Sequence, residues 1–235
     1  MTANLDRYIN AQVAFWKQQK ETIEAPEKES HKPFITISRE FGCGGYDVAQ
    51  KIVEILNTEY KTDPMWAAYD RTVLEKVTDD MGLSTSLVET LTGNARHALT
   101  NLFQTTFSKF PPQVAVHRRM SETIAMLAAN GNSVLVGRGA NLITKNVEGG
   151  FHVRVVAPIS WKSEVMAEKM KVNKSEAAKI LLEKEKQRQS FFSEFLKHDI
   201  SDPHNYHLLI NNSLYSTEEA ARMVVEGLKI KGLLK

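Results

Sequence analysis

Residues 34–47 run Phe-Ile-Thr-Ile-Ser-Arg-Glu-Phe-Gly-Cys-Gly-Gly-Tyr-Asp. A β-branched run enters a glycine-rich turn, and an amphipathic helix leaves it. That is the layout of a phosphate-binding loop: glycines let backbone N–H groups turn inward, and the helix N-terminus adds partial positive charge. The common form, G-x-x-x-x-G-K-[ST], carries a lysine for the β- and γ-phosphates and a hydroxyl for Mg²⁺. Here Gly44 is followed by Gly45, Tyr46 and Asp47. The shape is kept and the usual cation is missing. Ser38, Arg39, Glu40, Phe41, Gly42, Cys43, Gly44, Gly45, Tyr46 and Asp47 form the candidate ATP-binding segment.

Phosphoryl transfer needs alignment and positive charge around the transferring oxygens more than covalent help. Arg39 lies in the loop and either clamps phosphate or pairs with Glu40. Arg138, framed by Gly137 and Gly139 after an apolar run, either takes phosphate in a planar two-point contact or makes a structural ion pair. Asp47 is either a helix-start carboxylate suited to the dipole or a Mg²⁺ ligand. Ser38 either ligates Mg²⁺ or simply ends a strand. Arg71 either holds an acceptor phosphate or, with Asp70, caps a helix; Arg118 and Arg119 are further acceptor-site candidates. Lys179, Lys184, Lys186 and Arg188 share a charged segment with Glu183 and Glu185, which reads without other information as a solvated helix with local ion pairs. Cys43 reads as a small residue tolerated in a tight loop. His204-x-x-His207 has too few ligands for a zinc site.

These residues must be positioned by strands and helices in alternation. The patterning predicts strands at 34–37, 66–70, 133–136, 151–156 and 206–210. It predicts helices at about 46–60, 71–81, 84–107 (capped by Ser84), 113–130, 159–170, 174–197 and 217–229, the last capped by Ser216. Phe110-Pro111-Pro112 is a break. Strands separated by helices imply a three-layer α/β/α sandwich around a mostly parallel five-stranded sheet. Ligands then sit at the C-terminal ends of the strands, where the glycine loop and Gly137-Arg138-Gly139 both begin.

Residues 3–24 are predicted helical and 25–33, with two prolines, a linker. Residues 1–32 are therefore an appendage, a docking or homodimer-contact helix ahead of a domain at 33–235. The chain of 235 residues carries 30 basic and 28 acidic side chains, a net charge of +2, which does not suggest a dedicated nucleic-acid binder. No run approaches the roughly 20 apolar residues of a membrane span. No apolar signal core is seen, and the single cysteine excludes an intrachain disulfide, so a cytoplasmic protein is expected.

Several segments together resemble the cytidylate-kinase-like family: 35–45, Tyr69-Asp70-Arg71, 134–141 (Val-Leu-Val-Gly-Arg-Gly-Ala-Asn), Glu185-Lys186-Gln187-Arg188 and 206–213. The resemblance spans about residues 33–230. It implies a P-loop nucleoside monophosphate kinase fold, with a core, a helical monophosphate-binding insert at about 71–130 and a mobile lid at about 159–200. It also implies ATP and Mg²⁺ as cofactors and CMP, dCMP or a similar acceptor. Gly45 stands at the family's lysine position, and Gly139 where better-known members have aspartate. The resemblance gives Arg138 a contact to the monophosphate, and Lys186 and Arg188 a place in the lid that closes over the phosphates. Glu185 would hold the base or a lid arginine.

The expected function is a nucleoside monophosphate kinase in which Arg39, Arg138 and Arg188 supply the charge the lysine would have carried. The alternative is a nucleotide-binding regulatory module with little or no turnover, signalling through its N-terminal helix. A third reading keeps the kinase and changes its acceptor.

Overall fold

The computed structural model describes residues 9–12, 14, 32–79, 115–191 and 199–234. The expected helix at 84–107 with Ser84, the break at Phe110-Pro111-Pro112 and the end of the expected helix 174–197 lie outside these residues, as does most of the N-terminal helix and linker.

The described elements are β1 (Phe34–Arg39), α1 (Gly45–Glu59), β2 (Ala67–Tyr69), α2 (Arg71–Asp79), α3 (Ala115–Asn130), β3 (Ser133–Val136), α4 (Ala140–Ile143), β4 (Gly150–Val156), α5 (Ile159–Met170), α6 (Lys174–Phe191), β5 (Leu208–Asn211) and α7 (Thr217–Ile230). The five strands form one sheet in the order β2-β3-β1-β4-β5. Every pairing is parallel, so the sheet is wholly rather than mostly parallel. The chain moves outward from β1 to one edge first and later crosses to the other side. The end of β1 is thus a topological switch point, where α/β sheets open a crevice for ligands.

Side-chain alternation along the strands builds two cores. Ile35, Ile37, Val153 and Val155 face Val48 and Ile52 of α1 and Val224 of α7. Phe34, Tyr69 and Leu135 face Leu74 of α2 and Ile124 and Leu127 of α3. On that second face, toward β4, the sheet turns polar: Thr36, His152 and Arg154 are all buried. Ser216 caps α7 in a capping box with Glu219, as its sequence predicts.

One expectation is corrected. The last strand begins at Leu208 rather than Tyr206, because Pro203–Asn205 forms a 3₁₀ turn and the Tyr206 hydroxyl reaches inward to Ile200 O (2.7 Å) and Ser38 Oγ (3.1 Å). The N-terminal stretch docks on the core at residues 9–12. Gln12 is fully buried. Its Nε2 donates to Met65 O (2.8 Å) and Asn132 O (2.6 Å), and its Oε1 accepts from the Tyr69 hydroxyl. A buried carbonyl must find a donor, and here the N-terminal helix supplies it beside β2 and β3. Among the described residues, no helix is long and apolar enough to cross a membrane.

Candidate active site

The glycine loop is fixed from three sides. Gly42 and Gly44 take φ of +82° and +76°, the left-handed region that glycine enters without a Cβ penalty. Glu40 N donates to Val155 O (3.1 Å), and Cys43 Sγ approaches the same carbonyl (3.3 Å). Asn212, just past β5, donates from Nδ2 to Cys43 O (2.9 Å). Burial pushes the Cys43 thiol above its ordinary range, so it is a packed thiol and not a thiolate.

Arg39 closes β1, and its side chain runs across the loop. A Cβ on Gly45 would stand 2.8 Å from Arg39 Cβ and 3.2 Å from its Cγ. A Cβ on Gly137 would overlap the guanidinium itself, at Nη1. Arg39 therefore passes over the first residue of α1 and ends against the turn after β3. A lysine at position 45 and an arginine at position 39 would compete for the same space.

That turn presents the second arginine. Gly137, Arg138 and Gly139 have φ of +80°, +54° and +71° in succession. A non-glycine residue in this region is strained, and such strain collects at functional sites. Arg138 Nη2 lies 3.5 Å from Glu75 Oε1, which Arg71 also pairs with at 2.7 Å. Burial, then the nearby Arg71 cation, holds the Arg138 guanidinium below its usual range; Arg39 acts in the same direction. Arg39 is likewise held down by burial and then by Arg188. Both stay charged, because arginine does not deprotonate in proteins. Arg39, Arg138 and Arg188 thus form a partly desolvated cluster of like charge.

Arg188 reaches this cluster from α6. Its Nη1 donates to the Arg39 carbonyl and its Nη2 pairs with Glu185 Oε1 at 2.8 Å. The Arg188 Nε is buried and has no hydrogen-bond partner among the described residues. Glu185 Oε2 lies 3.5 Å from Phe41 N, at the limit of a hydrogen bond. Leu181 of α6 and Met166 of α5 lie over Gly42, where a Cβ would stand 2.7 Å and 3.0 Å from them. The two helices α5 and α6 therefore rest directly on the loop.

The remaining sequence candidates fall in different places. Glu40 does not face the loop cations: its Oε2 accepts from Lys162 Nζ (2.7 Å) and Ala157 N (3.3 Å), tying the loop to α5. Lys162, almost wholly buried, is the residue that sequence reasoning missed. Its periodicity on a charged helix gave no signal. Ser38 points to the face of the sheet opposite Arg39, toward Arg154 Nη1 (3.4 Å) and Tyr206. Tyr46 is half-buried against the first core. Asp47 is exposed in the first turn of α1. Asp70 caps α2, accepting from Val73 N (2.9 Å), and acts on Arg39 through its charge. Arg71 is exposed and paired with Glu75, and Arg118 is exposed and paired with Glu122. Lys186 is exposed on α6, on a different side from Arg188.

The donor set fits a polyphosphate. Left-handed glycines open the loop and three guanidiniums converge on it. Among the described residues no three acidic, His or Cys side chains converge as a metal cage.

A family model described as the cytidylate kinase-like family matches residues 34–214. A crystal structure of an uncharacterized protein from Eubacterium ventriosum ATCC 27560 superposes with a TM-score of 0.64 at 20% identity, covering 85% of this chain and 99% of that one. At that identity the likeness shows the fold alone. No curated protein matches the chain.

Proposed function

This chain belongs to the cytidylate kinase-like family, and we propose that it is an ATP- and Mg²⁺-dependent phosphotransferase acting on CMP, dCMP or a similar phosphorylated acceptor. The observation that carries this reading is the path of Arg39 over Gly45 to Gly137. The Arg39 stem lies over the loop position that otherwise bears lysine, and its guanidinium ends at the turn after β3.

ATP would supply the γ-phosphoryl group. Backbone N–H groups of Gly42, Gly44 and Gly45 would hold the donor phosphates, with the N-terminus of α1 behind them. Arg39 and Arg188 would face charge that spreads over the equatorial oxygens, and Arg138 would orient the acceptor phosphate. Their guanidiniums already lie near one another, so little reorganisation would be needed as charge develops. Resting α5 and α6 on Gly42 would keep water away from the donor.

The test is incubation of the purified protein with Mg-ATP and each nucleoside monophosphate in turn, quantifying the diphosphate products. CDP or dCDP formation supports the reading. ATP binding without product across the panel favours the second reading, a nucleotide-binding regulatory module. The observation on that side is the engagement of Arg188 with the Arg39 carbonyl, together with glycine at 139.

A further inference from the structure

A cavity of about 570 Å³ lies at the end of the sheet opposite the phosphate loop. Its place follows from the topology. Gly149 and Gly150 enter β4 there, and Lys231 and Leu233 follow α7, which runs back from the end of β5. His152 of β4 and His207 line it from the sheet. The segment from Asn141 to Glu148 lines one side and His204, Asn205 and Tyr206 the other. Its size is that of a small-molecule site.

Three observations say what it would take. Asn141 is 4% exposed, and its amide Nδ2 has no hydrogen-bond partner among the described residues. A buried donor without a partner is costly unless an acceptor arrives. Lys145 and Lys231 line the cavity against one carboxylate, Glu148. Lys231 is close enough to press the His207 imidazole below its ordinary range, second only to burial. The histidines do not form a metal site: His204 pairs with Asp202 at 2.6 Å, His207 Nδ1 accepts from His152 N (2.9 Å), and His152 Nδ1 lies 2.8 Å from Thr36 Oγ1. The cavity thus offers two cations and imidazole faces, with the Asn141 amide donor buried behind its wall.

We propose that this cavity is a second ligand site, separate from the phosphate loop, for a small organic oxyanion: a carboxylate or a phosphate ester of a few carbons. The anionic group lies between Lys145 and Lys231, beside Asn141. Tyr206 forms part of the wall and also touches Ser38, the residue before Arg39. Occupancy therefore bears on the strand that ends in the phosphate loop.

The experiment is calorimetric titration of the full chain with citrate and, separately, with ribose 5-phosphate. Saturable binding of at least one probe is expected. It should weaken by about tenfold or more in the Lys145→Glu/Lys231→Glu double variant, as loss of charged hydrogen bonds implies, and persist in Arg138→Ala. Citrate alone binding identifies a carboxylate site, and ribose 5-phosphate alone a phosphate site; both support the proposal. An Asn141→Ser variant gives a second reading at a single buried donor, with circular dichroism as the check on folding. No saturation by either probe, or binding lost in Arg138→Ala and kept in Lys145→Glu/Lys231→Glu, overturns it. Failure of the kinase assay leaves this test untouched, since its readout is binding at the other end of the sheet.

Discussion

Arg39 and Gly137 share one volume: a methyl group on Gly137 would overlap the Arg39 guanidinium. The turn after β3 is therefore a socket for the loop arginine. Arg39→Ala should lower phosphoryl transfer by roughly 100- to 1000-fold, the usual loss for one transition-state donor. Gly137→Ala should lower it by a similar factor by displacing the same guanidinium. Because both act through one group, the double variant should be little worse than Arg39→Ala alone. Steady-state rates of the three variants check this, and full multiplicativity would separate Gly137 from Arg39.

The competition between positions 39 and 45 makes a second prediction. Gly45→Lys alone forces a side chain into Arg39 Cβ, 2.8 Å away, and should inactivate rather than enhance. In an Arg39→Ala background the space is free, and the same Gly45→Lys should recover part of the lost rate. A tenfold recovery corresponds to about 1.4 kcal/mol of transition-state stabilisation. No recovery in the double variant, with ATP still bound, would mean that Arg39 does not stand in for the lysine.

Glu40 and Lys162 join the loop to α5, with Lys162 only 9% exposed along its side chain. Exposed pairs contribute up to about 1 kcal/mol. Removing one partner of a buried pair costs about 3–5 kcal/mol. Glu40 is partly exposed, so Lys162→Met should cost about 2 kcal/mol by urea unfolding, between those limits. It should also raise the KM for ATP, because the loop loses its tie to α5. A drop in stability with KM unchanged would make the pair purely structural.

Much of this was legible in the sequence, for a physical reason. β-branched runs bounded by glycine are strong strand signals, and four of the five strands begin within one residue of where patterning puts them. The fifth is shifted because Pro203 starts a turn and Tyr206 turns inward to Ser38. Arg39 and Arg138 were visible as loop arginines, but their meeting across Gly45 and Gly137 was not, since it depends on β1 and β3 lying side by side. Glu40 reads as a loop carboxylate, and only the fold brings Lys162 to it from 122 residues away. Gln12 carried no signal at all, because two of its partners are backbone carbonyls that any residue could offer and the third, the Tyr69 hydroxyl, comes to it only through the fold.

The buried polar face near β4 leads to a pH dependence. His152 is pulled down to about 4, first by burial and then by His207. An unfolded-chain histidine titrates near 6.5. Between these values the unfolded chain binds the proton and the native one does not, so stability rises with pH through this window. The contribution is complete above about pH 6.5 and is lost as pH falls toward 4. Going from pH 7 to pH 5 should cost roughly 2 kcal/mol from this residue alone. His207 is shifted in the same direction and adds to the slope. His152→Gln keeps a polar group opposite Thr36 and does not titrate. Its unfolding free energy should therefore fall less than that of the wild type between pH 7 and pH 5, by about that 2 kcal/mol. Equal losses in the two proteins would show that His152 takes up its proton without leaving the fold.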